Sequence, residues 1–109
     1  MHLNAFHAPG RFFKGNLHTH STYSDGGLSP GEVCRRYREQ GYDFLCVSDH
    51  FRAVYGFPIT DTRGFRTNRF TTILGAEVHA GANSKGETWH ILAVGLPADF
   101  APTDRKSVV

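Results

Sequence analysis

Histidines 18 and 20 in the stretch NLHTHSTYSDGG (residues 16–27) stand two apart, with Asp25 five positions further on. Residues two apart on an extended strand share a face, so both imidazoles aim at one point. A carboxylate close behind them makes the trio a candidate for holding a divalent metal ion. More residues of the same chemical types follow: His50 closes DFLCVSDH, Glu77 lies in GAEVHA and His90 in WHILAVGL. Imidazole and carboxylate without thiolate suit zinc, manganese or iron in a catalytic setting better than a closed structural zinc site. Alternation turns Asp49 away from His50, which predicts a hydrogen-bonding role behind the ligands rather than direct ligation. His79, two positions after Glu77, could face the same way, but the reading here is a plain exposed strand residue. His2 and His7 have no such context and receive no role.

Groups this far apart in sequence act together only if the fold gathers them. In parallel α/β folds the carboxyl ends of the strands converge on one mouth, and the candidates fall at predicted strand ends. RFFKGNLHTH alternates as a strand, with Leu17 and Thr19 on one side and Asn16, His18 and His20 on the other. STYSDGGLS is a turn-rich loop. SPGEVCRRYREQG then carries a full set of helix signals: Ser29 as N-cap, Pro30 in the first turn, Glu32 completing a capping box and Gly41 as the stop. Val33, Cys34 and Tyr37 mark its apolar face. DFLCVSDH reads as one strand buried on both faces, which predicts a right-handed parallel crossover from the first strand. Residues 51–69 lack a period and read as an irregular loop with a helical turn. FTTILGAEVHA and WHILAVGL read as two strands joined by the turn-rich GANSKGE, a hairpin.

Composition bounds the rest. With 109 residues, 39% hydrophobic and 13% aromatic, the chain makes at most one globular domain and is not disordered. A net charge of +2 argues for neither a nucleic-acid nor an acidic-membrane partner. Cys34 and Cys46 fall inside the predicted helix and buried strand, as reduced core residues do. No run reaches the roughly 18–20 apolar residues of a membrane span, and the first residues lack a signal peptide's apolar stretch. A cytoplasmic location is expected.

LHTHSTYSDG, LSPGEVCRRYREQGYDFLCVSDH, GAE and HILAVG, in this order, resemble the N-terminal half of the PHP (polymerase and histidinol phosphatase) superfamily, with wording most similar to CehA/McbA-type metallohydrolases. The resemblance implies the N-terminal part of a distorted (β/α)7 TIM-like barrel, α/β in class, with up to three divalent ions (zinc, manganese or iron) at its mouth. It implies His18, His20, Asp25, His50, Glu77 and His90 as ligands, with Glu77 bridging two ions. It also implies a hydrolase that uses metal-activated water on a small-molecule phosphate ester, with no side-chain nucleophile. Carboxyl or carbamate esters, or a non-catalytic module beside a DNA polymerase, are the alternatives. Arg52, directly after His50, is a weak candidate for holding phosphate, with Arg63, Arg66 and Arg69 behind it. The family pattern continues with another histidine and an Asp-x-His pair, and a barrel of this kind typically needs about 200 residues or more. The expectation is therefore a partial PHP domain over 15–103 after an N-terminal segment 1–14, inactive in isolation. DRKSVV (104–109) is read as a non-native tail, because its codons can match a common sequencing adapter.

Overall fold

In the computed structural model, which describes residues 9–102, β1 (Gly15–Thr19), α1 (Pro30–Glu39) and β2 (Phe44–Val47) form a strand–helix–strand unit with β1 and β2 parallel. His2, His7 and the tail 104–109 lie outside the described residues. The helix starts as its sequence requires: the Ser29 hydroxyl accepts from the Glu32 amide at 3.2 Å, and Pro30 occupies the first turn. Gly41, at φ +82°, takes the left-handed turn that ends it. The capping box is half made. The Glu32 carboxylate turns outward to Arg35 and Arg36 instead of back to Ser29, and the Arg35 guanidinium, then Arg36, hold its carboxyl down at about 2. A guanidinium one turn along outcompetes a neutral amide for a carboxylate.

Val33 and Cys34 on the inner face of α1 pack against Leu45, Val47 and Phe70, with Leu28, Tyr37 and Tyr42 closing the edges. Burying such side chains contributes about 1.5–3 kcal/mol each, the main local support for the unit. Cys34 and Cys46 are free, buried thiols, and burial pushes both up to about 11.

Two predicted strands are each divided. DFLCVSDH becomes β2 and β3 (His50–Phe51), and FTTILGAEVHA becomes β4 (Thr71–Thr72) and β5 (Gly75–Ala80). The strands order β1-β2-β4 in one sheet and β3-β5-β6 in the other, with β6 (Trp89–Val94) antiparallel to β5 as the predicted hairpin. The break falls at Ser48 and Asp49, both fully buried. Backbone bonding carries across it, since Ser48 N–H donates to Thr19 O and Asp49 O accepts from Glu77 N–H. At this break the Asp49 side chain accepts from the loop donors described below. A register shift in β1 between Asn16 and Thr19 adds a bulge just before His20.

The segment between β3 and β4 is irregular apart from short 3-10 turns at Ala53–Tyr55 and Arg63–Phe65. Trp89, Ile91, Leu92 and Val94, from both faces of β6, are exposed. Among the described residues no helix is long and apolar enough to cross a membrane. The architecture is a mixed α/β arrangement, largely parallel, with one α-helix among the described residues.

Candidate metal centre

Glu77 is the hub. Its position in β5 is set by the parallel ladder, where it is the register partner of His50, and by the β5–β6 hairpin that pairs His79 with His90. The end of β1 brings in His18 and His20. Glu77 Oε1 lies 2.8 Å from His18 Nε2 and 3.9 Å from His20 Nε2. Oε2 lies 2.7 Å from His50 Nδ1, 3.4 Å from His79 Nε2 and 3.6 Å from His90 Nδ1. Asp25 joins from the loop after β1, its Oδ1 2.9 Å from His20 Nδ1 and its Oδ2 3.1 Å from His50 Nε2. The structure thus brings together His18, His20, Asp25, His50, Glu77 and His90.

His79 corrects the sequence reading. It is buried, with 5% of its surface exposed, and its Nε2 is 2.6 Å from His50 Nδ1. Period two along β5 puts residues 77 and 79 on one face, and there the His50 and His90 rings and the Glu77 carboxylate close around His79. The period was the available signal. Whether the face is buried depends on a partner strand that local sequence does not identify.

Asp49 lies behind the cluster. Its carboxylate accepts from Ser21 N–H and Ser21 Oγ, both at 2.7 Å, from Ser24 Oγ at 2.6 Å, and from Thr60 Oγ1. These bonds tie the loop that carries Asp25, and the segment after β3, to the strand end that carries His50. Gly26 completes the loop's packing: a Cβ there would stand 2.6 Å from the His20 carbonyl oxygen, so a side chain would push the loop off the strand.

The donor set suits a divalent cation. Glu77 Oε2 and His20 Nε2 are buried with no hydrogen-bond partner, and the short His50–Glu77 approach lacks hydrogen-bonding geometry. Buried polar atoms without partners are costly, and a cation placed among facing lone pairs removes that cost. Three groups each present donor atoms within 4.8 Å of one another: His18, His20 and Glu77; His20, Asp25 and His50; and His50, Glu77 and His79. Bonds of about 2.0–2.2 Å span tetrahedral edges of about 3.3–3.6 Å, close to these separations. Burial pushes Asp25 up, but hydrogen bonds and charge from His20 and His50 outweigh it and hold the carboxyl below its usual value. Desolvation first, then the neighbouring His90 and His50, press His79 below the ordinary imidazole value. Asp25 is therefore held ionised and His79 neutral, the forms that bind cations.

Arg52 is exposed beside the cluster, and its charge reaches His79. The other arginines have different engagements. Arg63 is paired with Asp61, Arg66 donates to Thr72 Oγ1 and O, and Arg69 lines a depression of about 1180 Å³ with Arg38, Tyr42 and Thr71, which contains none of the clustered histidines. The metal-ligand types gather at the histidine mouth and not in that depression.

The PHP domain family model matches residues 16–97. This chain belongs to the PHP domain family. The match runs from the second residue of β1 past the end of β6 and includes every member of the cluster, so the metal-ligand types gathered around Glu77 belong to a PHP domain of a superfamily of metal-dependent phosphoesterases. A stretch of 37 residues is 43% identical to the DNA polymerase/3'-5' exonuclease PolX of Bacillus subtilis (strain 168). That stretch is 34% of this chain and 6% of the relative, so the chain spans a small part of that relative's length.

Proposed function

We propose that this PHP domain is a metal-dependent hydrolase acting on phosphate esters of small molecules. The observation that supports it is the convergence of five imidazoles and Asp25 on or beside one buried carboxylate, Glu77. Divalent ions held there, as zinc, manganese or iron, would lower the pKa of a bound water and stabilise negative charge on the ester oxygens. His18 and His20 would hold the Oε1 side of Glu77, and His50 and His90 the Oε2 side, with Glu77 shared between ions. Asp25 would add its carboxylate between His20 and His50. Ser21 and Ser24 donate their hydroxyl protons to Asp49, so neither is aimed outward as a nucleophile and water takes that role. Arg52, exposed at the rim, would orient a substrate phosphate through forked hydrogen bonds.

The sheet is read as part of a distorted PHP barrel, supported by the parallel β1-β2-β4 order and by the apolar residues exposed on β6. Similarity to PolX is compatible with a second reading, a PHP module that serves a DNA polymerase without hydrolysing small esters.

The test loads the natural full-length protein that carries this domain with Zn²⁺, Mn²⁺ or Fe²⁺ and follows hydrolysis of an aryl phosphate and an aryl carboxyl ester, with Glu77→Gln as control. Turnover of the phosphate that vanishes in the variant supports the proposal. Turnover of the carboxyl ester alone moves the assignment to carboxyl or carbamate esters. Metal binding without turnover of either supports the module.

A further inference from the structure

We infer that His79 is itself a metal ligand and, with His50 and Glu77, holds an ion on the Oε2 side of the carboxylate. The inference rests on the metal-binding reading above and adds a ligand to it. His79 is among the most buried side chains of the cluster, with 7% of its side chain exposed against 50% for His18 and 55% for His90. Its Nε2 points inward, 2.6 Å from His50 Nδ1 and 3.4 Å from Glu77 Oε2. The ring is held in that direction by an edge-on contact with His90, its cross-strand partner, at 4.3 Å between centroids.

The simpler reading is an imidazole–imidazole hydrogen bond. One proton shared between His50 Nδ1 and His79 Nε2 would satisfy those two nitrogens and leave Glu77 Oε2, buried and without a hydrogen-bond partner, as it stands. A cation among the three donor atoms satisfies all of them at once. A neutral imidazole has one lone pair. With Nδ1 of His50 facing the ion, its Nε2 carries the proton and donates to Asp25 Oδ2 at 3.1 Å, which fixes the ring. Ligand function at His79 therefore predicts one tautomer for His50.

The test is imidazole nitrogen NMR of the ¹⁵N-histidine-labelled full chain titrated with ¹¹³Cd²⁺, together with the Cd²⁺ content of wild type and His79→Asn after dialysis. Cadmium coupling at His79 Nε2 and His50 Nδ1, with the variant retaining one fewer ion per chain, is the expected result. Coupling at His18 and His20 with none at His79 overturns the inference, whatever the variant does, and leaves the metal centre intact. A wild-type chain that takes up no Cd²⁺, Zn²⁺ or Mn²⁺ overturns both the inference and the hydrolase reading.

Discussion

His50 and Glu77 are register partners on adjacent parallel strands, and their side chains meet at 2.7 Å between Nδ1 and Oε2 without forming a hydrogen bond. Backbone pairing, which the sheet fixes, thus places His50 Nδ1 opposite a carboxylate oxygen. Around that pair the other imidazoles close in from β1, β5 and β6.

Asp49 should be as important to the site as a ligand, although it faces away from it. Asp49→Asn keeps the shape but turns an amide N–H₂ toward hydroxyls that now donate to a carboxylate. Loss of hydrogen bonds to a charged acceptor costs about 1.5–3 kcal/mol each, so we expect a fall in unfolding free energy of at least about 2 kcal/mol by urea titration. Because the same bonds anchor the Asp25 loop, metal affinity should fall by about 10–100-fold in competition with a chelator.

Gly26→Ala tests the loop by steric means. The added Cβ meets the His20 carbonyl oxygen at 2.6 Å, so the backbone must shift to admit it. A cost of about 1–3 kcal/mol is expected in denaturant unfolding, whereas Gly27→Ala, where nothing lies within 4 Å, should cost clearly less.

The buried thiols set an alkaline limit. Burial raises Cys34 and Cys46 from 9.0 to about 11, so the fold favours the neutral thiol over the thiolate. The linked stability is fully present below pH 9.0 and is lost as pH rises toward about 11. Urea midpoints measured from pH 7 to pH 11 should decline over that window, with a shallower decline in Cys46→Ala. At neutral pH both thiols should resist alkylation until the chain is unfolded.

Helix α1 and the His-x-His pair were legible because their signals are local: a cap, a proline, a stop glycine and a period of two. The candidate set, from His18 to His90, could be collected from strand ends because parallel strands direct their carboxyl ends to one mouth. Three features were not legible for one shared reason. The division of DFLCVSDH at Ser48 and Asp49 depends on donors from residues 21, 24 and 60. The burial of His79 depends on His50, Glu77 and His90 meeting it from three strands. The outward turn of Glu32 depends on a choice between acceptor sites that the capping pattern leaves open. Each is settled by which groups meet in space, and a single sequence specifies that only indirectly.

Arg52 should act on substrate and not on metal. Arg52→Ala is expected to raise KM for a phosphate ester about tenfold with unchanged metal content, the pattern of lost binding to a substrate group. A fall in metal content would instead tie Arg52 to the integrity of the cluster.

The most direct measurement is the metal content of the full chain by mass spectrometry, wild type beside Glu77→Gln, each folded as judged by circular dichroism. The wild type should carry at least one tightly held divalent ion per chain, and the variant, of the same volume but without the bridging charge, should retain less than about a tenth of it. Equal metal content in the two proteins, or none in either, would contradict a metal centre built on Glu77.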